Sequence, residues 1–413
     1  MKSIQSTLFA LSVFLLANSP AFAGSPSTTG DSAYITQAGA GGTVTTNQTE
    51  TSGNPNTITV IQFAESIFER ADVTQSGSGN NRATVNQYGD SEVARVKQLG
   101  ASGNASVNQD GNLNAAKVTQ GETSVSESAT IEQVGTQNEG AVSQGGMNDI
   151  ATITQSGNGN ISFLTQDGAN GTACISQLET SQNKVSIDQE AGSSFEQAMI
   201  TQTGGSSSSN EPVFYEAKIT QRGKNDQATI TVSGGHSSLI EQGEMADSEI
   251  AMIDQSGATK AANDARIAQN GKSDQATITQ SGGDNNGAWI DQNSGDLNIS
   301  DITQQGNGNF LGVAQVGSGN KVTSIQTGNN NKNSSTVGSQ LVDGILQIGD
   351  NNIASTTQTG DANCAVIRQI GNSNNATISQ INSLNTAIID QSGSFKVADI
   401  SQTGGNFSSV TQH

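Results

Sequence analysis

The chain has 413 residues, with Lys+Arg 17 against Asp+Glu 37, a formal net charge of -20, 13% charged and 32% hydrophobic residues, 48 Gly, 4 Pro, 2 Cys and 2 His. A nucleic-acid binder is disfavoured because it needs clustered Lys and Arg, and a collagen-like chain because it needs Pro and a three-residue Gly period. Two Cys exclude a disulfide-stapled scaffold, and His236 and His413 alone cannot build a multi-histidine catalytic or metal site.

In chain order, residues 1–23 read as a secretory signal peptide. Lys2 supplies the positive start, Leu8 to Leu16 the apolar run, and Ala21-Phe22-Ala23 the small residues a signal peptidase reads. The run is shorter than the ~20 residues of a spanning helix, and no later segment is apolar enough to span, so no membrane span is expected. Residues 24–33 form a short leader, and 34–413 form one continuous repeat array without a linker.

The array is written in one motif. Gln109 is followed by Gly111, Asn114, Ala116, Val118 and Gln120, and Gln155 by Gly157, Asn160 and Gln166. Gln347 leads through Asn352 to Gln358, Gln358 through Asn363 to Gln369, and Gln369 through Asn374 to Gln380, with Gln391 and Gln402 following. The frame is Gln, then Gly at two, Asn at five, a small residue at seven, Val or Ile typically at nine, and Gln at eleven. About thirty-three such Gln lie between Gln37 and Gln412, a mean spacing of about 11.7 residues. Val232 stands in once, and Val337 is taken as a second stand-in. The looser intervals Gln48 to Gln75, Gln202 to Gln221 and Gln242 to Gln269 are expected to be loop insertions.

Asn, Ala, Ile and Gln fall at alternate positions and so point to one side of a strand. Gly two after each Gln, with Asn, Ser or Asp nearby, is turn chemistry. Pro55 and Pro212 lie between strand segments. The expected fold is an all-β β-solenoid, a flat two-sheet cross-β stack of about sixteen coils with about 22 residues each. Identical amides stacked coil over coil can form ladders along the axis, each bond contributing only ~0.5–1.5 kcal/mol net. A register slip would bury an unmatched amide at ~1–3 kcal/mol, so the amides specify in-register stacking. The assembly residues expected on this ground are Gln109, Asn114, Gln120, Gln155, Asn160, Gln166, Gln347, Asn352, Gln358, Asn363, Gln369, Asn374, Gln380, Gln391 and Gln402.

Gln155-Ser-Gly-Asn-Gly-Asn160 and Gln369 to Gln380 closely match Gln-x-Gly-x-Gly-Asn-x-Ala-x-Val-x-Gln. The array therefore resembles the curlin repeat of curli-type functional amyloid subunits. The resemblance implies secretion through the periplasm to a bacterial cell surface and self-assembly into extracellular fibres serving biofilm matrix and adhesion. It implies as partners further copies of the chain, a related curlin major subunit or nucleator, and an outer-membrane secretion pore. A monomeric β-solenoid adhesin, or a surface- or ice-binding module, is the alternative.

No enzyme, cofactor or metal is expected. No nucleophile–His–acid set can be built, and no acidic cluster is expected to recur on one face. Asp149, Asp226 and Asp274 replace Asn at offset five and are expected to accept turn N–H groups. The nonapeptide of calcium-binding rolls is absent. Cys174 and Cys364 are about eight coils apart in this scheme, too far for a bridge between Cα atoms that must lie within ~7 Å. Outward Thr pairs such as Thr277 and Thr279 reflect β-propensity, because Arg95, Lys97 and Trp289 break any regular lattice in the same columns.

Overall fold

The computed structural model describes residues 11–12, 30–38, 40–50, 54–63, 66–204, 216–257, 263–337 and 340–413. The delivery signal expected over residues 1–23 thus lies, apart from Leu11–Ser12, outside the described residues, as do Pro212 and most of the expected leader.

Among the described residues the chain is all-β with no helix, and its strands run parallel in stacked coils, apart from two antiparallel pairings, Leu11–Ser12 on Thr45–Thr46 and a hairpin over 334–343. This is a β-solenoid of about 15 turns with about 23 residues per turn, close to the coil expected from the eleven-residue frame. Contacts divide the chain into two compact units, Met1–Phe195 and Glu196–His413. No helix among the described residues is long and apolar enough to cross a membrane.

Each unit is built alike. In the first, Arg82–Asp90, Asn104–Asn112, Ser128–Thr136 and Ile150–Asn158 stack in one parallel sheet. Val93–Gln98, Ala115–Gln120, Glu139–Gln144 and Ile161–Gln166 stack in the other. In the second unit, Lys321–Thr327, Ile353–Thr359, Asn375–Ile381 and Val397–Thr403 form one such run. Register is residue on like residue: Ala376 faces Ala398, Ile378 faces Ile400 and Gln380 faces Gln402.

Alternation buries one face of the stacked inner strands, so Ala105, Val107 and Gln109 are inside while Asn104, Ser106 and Asn108 are not. The core is a stack of Ala, then Val or Ile, then Gln, repeated in both sheets. The Gly two after Gln is a backbone requirement. Gly111 sits at φ 135°, and a Cβ there would strike the carbonyl of Gly135 in the next coil.

The coil exceeds 22 residues because the turns vary. Stacked Gln partners are 21 to 27 residues apart, and 32 across one excursion. That excursion corrects the assignment of Val337. Ser334–Val337 pairs antiparallel with Gln340–Asp343 as a hairpin outside the frame. Lys332 and Asn333 begin a strand on Phe310 and Leu311, and Ile345–Ile348 completes it on Val313–Val316. The rung belongs to Gln347, because its Oε1 is the one that Gln315 reaches.

Candidate functional site

The inward amides form continuous hydrogen-bonded columns. In the first unit Gln87 Nε2 donates to Gln109 Oε1 at 3.1 Å, Gln109 to Gln133 at 2.9 Å, Gln133 to Gln155 at 2.9 Å and Gln155 to Gln177 at 3.0 Å. In the facing sheet Gln98 donates to Gln120, Gln120 to Gln144, Gln144 to Gln166 and Gln166 to Gln189, at 2.8–3.0 Å. In the second unit Gln315, Gln347, Gln369, Gln391 and Gln412 make one column with every bond 2.9 Å. Gln326, Gln358, Gln380 and Gln402 make the other, also at 2.9 Å.

The structure thus joins Gln109 with Gln155, each through Gln133, and Gln120 with Gln166 through Gln144. Gln neighbours in the chain, such as Gln347 and Gln358, fall in opposite sheets and in separate columns. The second proton of most of these amides ties the two sheets together. Gln109 Nε2 reaches Val93 O at 3.2 Å, Gln369 reaches Ile353 O at 3.0 Å and Gln380 reaches Cys364 O at 2.9 Å. A buried Gln therefore accepts from the coil before, donates to the coil after, and donates across the core.

Asn at the turn makes a second kind of rung. Asn138 N–H donates to Asn114 Oδ1 at 3.0 Å, and Asn160 N–H donates to Asn138 Oδ1 at 3.1 Å. Asn374 N–H donates to Asn352 Oδ1 at 3.0 Å, and Asn385 N–H donates to Asn363 Oδ1 at 3.1 Å. The amide Nδ2 caps the next turn, as Asn114 does to Gly135 O at 3.0 Å and Asn352 to Gly371 O at 2.8 Å.

Acidic residues take the same place in several coils. Glu69, Glu92, Glu127, Asp149, Glu196, Asp226, Glu249 and Asp274 are all buried. They lie in turns and not on a strand face: in the first unit Glu69 and Glu92 directly precede strands of one sheet and Glu127 and Asp149 strands of the other, and in the second unit Glu196, Asp226, Glu249 and Asp274 directly precede successive strands of one sheet. Asp149, Asp226 and Asp274 accept the N–H of Gly171, Glu249 and Asn298. Glu69, Glu127, Glu196 and Glu249 were missed because they lie seven rather than five residues after the Gln, in longer turns, whereas Glu92 keeps offset five after Gln87 and was missed because only Asp was sought there. The signal that finds them is the residue immediately before each strand, whatever the turn length. Burial pushes Glu92 and Glu127 up to about 8 and Glu249 up to about 9, with neighbouring carboxylates adding to the rise. His236 holds the equivalent place once; its Nδ1 accepts Asn263 N–H at 3.1 Å, and burial lowers its pKa.

Among the described residues no group of three or more His, Cys, Asp and Glu is arranged to hold a metal ion. Cys174 and Cys364 are both half-buried. Trp289 stands on the outer face, edge-on to Phe310 with ring centroids 4.4 Å apart. The columns can do one thing chemically: they hold successive coils in a single register.

Residues 349–381 match the curlin associated repeat family. That stretch covers the strands Ile353–Thr359, Cys364–Ile370 and Asn375–Ile381 with their turns. The family is one of structural, non-enzymatic subunits. No curated protein matches the chain.

Proposed function

We propose that this chain, assigned to the curlin-repeat family, is a structural subunit that is secreted and self-assembles into curli-like extracellular amyloid fibres. The observation that carries this is the amide ladder. Each rung presents the same acceptor to the coil before and the same donor to the coil after, so a rung from a second copy is chemically equivalent to the next coil of the same chain. Parallel, in-register stacking of like residues is also the geometry of cross-β fibres.

On this proposal the fibre serves biofilm matrix and cell adhesion at a bacterial surface. Its partners are further copies of the chain, with a related major subunit or nucleator, and an outer-membrane secretion pore on the route through the periplasm. The fifteen Gln and Asn residues named above are the proposed assembly residues.

Purified chain lacking residues 1–23 is expected to polymerise after a lag, to be seeded by its own fragments, and to give ~4.7 Å and ~10 Å fibre reflections. A chain that sediments as a monomer for weeks at high concentration would overturn the proposal in favour of a monomeric adhesin.

A further inference from the structure

Glu196, Asp226, Glu249 and Asp274 stand in successive turns of the second unit, each directly before a strand of one sheet. Further along the chain the same place is filled by Asn298, Asn320, Asn352 and Asn374. One oxygen of each of the last three acids does what Asn Oδ1 does. Glu249 N–H donates to Asp226 Oδ1 at 3.0 Å, Gly271 N–H to Glu249 Oε1 at 2.9 Å, and Asn298 N–H to Asp274 Oδ1 at 2.7 Å.

The other oxygen is the anomaly. Asp226 Oδ2, Glu249 Oε2 and Asp274 Oδ2 are buried and receive no hydrogen bond. In Asn320, Asn352 and Asn374 the equivalent atom is Nδ2, a donor, and it caps the next turn: Asn320 to Gly349 O at 2.7 Å, Asn352 to Gly371 O at 2.8 Å, Asn374 to Gly393 O at 2.9 Å. The carboxylate oxygen lies beside the same kind of acceptor. A Cβ built on Gly271 would strike both Gly295 O and Asp274 Oδ2, and one built on Gly223 would strike both Ala246 O and Asp226 Oδ2. An ionised acid there sets acceptor against acceptor. A protonated acid carries one donor and one acceptor, which is the inventory of Asn.

We propose that this acid column is a proton-operated latch: protonation of Asp226, Glu249 and Asp274 completes the turn ladder, and ionisation opens it. These coils therefore form most firmly in mild acid and loosen as pH rises. The inference concerns folding of the chain and does not depend on fibre assembly.

The surroundings reinforce it. The charged groups acting on the column are its own members together with Asp247, beside Asp226, and Asp296, beside Glu249 and Asp274. Lys224 and Lys272 stand in the outer bridge column with Asp247 and Asp296. The first unit repeats the device. Asp149 N–H donates to Glu127 Oε2 at 3.0 Å and Gly171 N–H to Asp149 Oδ1 at 2.7 Å, while Glu127 Oε1 and Asp149 Oδ2 receive nothing; Asp167 adds its charge there.

Burial raises Asp226 from 3.8 to about 7, Glu249 from 4.5 to about 9 and Asp274 from 3.8 to about 6. The folded chain thus binds more protons than the unfolded chain over that window. Stability is full below about pH 4 and falls as pH rises to about 9.

The test uses the full chain at low concentration, with urea unfolding followed by Trp289, the sole tryptophan and a reporter of the second unit. Wild type is expected to lose midpoint steadily from pH 5 to pH 8.5. D226N/E249Q/D274N should raise the folding equilibrium constant at pH 8 by more than about tenfold, one pKa unit's worth, and flatten most of the pH dependence. D254N/D301N/D399N removes three exposed outer-face carboxylates with the same charge change and should keep the wild-type slope. If Gln fits poorly at Glu249, D226N/E249N/D274N replaces it, since Asn fills this column elsewhere. A flat wild-type profile, a buried-site variant with the wild-type slope, or failure of both amide variants to fold at either pH would overturn the latch.

Discussion

At the scale of the residue, the unit of this protein is an amide with every hydrogen-bonding group used. Gln369 accepts from Gln347, donates to Gln391 and donates to Ile353 O. Gln369→Ala leaves buried partners unsatisfied in three places, at about 1–3 kcal/mol for each orphaned group. Gln369→Ala with Gln380→Ala is therefore expected to lower the urea midpoint and slow seeded assembly far more than Thr377→Ala, whose side chain points outward. Equal effects in the two measurements would refute registration by amides. Gly111 is constrained by backbone rather than by side chain. Gly111→Ala places a Cβ against Gly135 O at a φ of 135° that L residues rarely adopt. Strain of this kind costs of order 1–3 kcal/mol before the overlap is counted, so a depressed thermal midpoint is expected. Both requirements were legible from the sequence, because turn Gly and inward Gln recur at fixed phase. The buried Glu69, Glu127, Glu196 and Glu249 were not, because two extra turn residues shifted them out of that phase while leaving each directly before its strand.

At the scale of the element, the frame tolerates interruption only where the interruption leaves the sheet. The hairpin at 334–343 divides one strand between Lys332–Asn333 and Ile345–Gln347, yet both pieces pair in register with the coil before. Deleting 334–343 joins Asn333 to Gly344 and restores Asn331, Asn333, Ile345 and Gln347 to offsets five, seven, nine and eleven. The deletion is expected to leave the circular dichroism of the sheet and the unfolding midpoint nearly unchanged, since shortening a surface excursion changes loop entropy by only about 0.6 kcal/mol per halving. Deleting ten residues from 364–373 instead should abolish cooperative unfolding, because every inward side chain downstream loses its register. Val232 is the opposite case, an interruption inside the sheet. It stacks between Gln202 and Gln255 where an amide belongs. Val232→Gln is expected to raise the urea midpoint by the equivalent of about 0.5–1.5 kcal/mol per bond made. The sequence marked Val232 correctly as a stand-in and marked Val337 wrongly. Both are isolated Val at plausible spacing, and only strand pairing separates a residue in the ladder from one in a hairpin.

At the scale of the molecule, a net charge of -20 and a sparse charged fraction meet a core made of amides and small aliphatics. The outer faces carry the scattered charges, and the turn columns carry the buried acids. If the acid latch holds, a chain at neutral or higher pH meets two penalties, mutual repulsion of surface carboxylates and an incomplete turn ladder, and both ease on acidification. Assembly seeded with preformed fibres should then show a shorter lag at pH 5 than at pH 8, and D226N/E249Q/D274N should narrow that difference.

The sequence by itself determined the local structure and the class of fold. An eleven-residue phase of Gln, Asn, Ala and Ile with turn Gly can be satisfied by strands that bury one face, and repetition of identical strands stacks them like on like. Tertiary structure decided which residues meet. The amide rungs join groups 21 to 32 residues apart, so partners follow from turn lengths accumulated between them and not from local spacing. That is why the amide columns could be anticipated as a pattern, whereas the hairpin that displaces Val337 and the acid column of Glu196, Asp226, Glu249 and Asp274 emerge only when the coils are laid one on another.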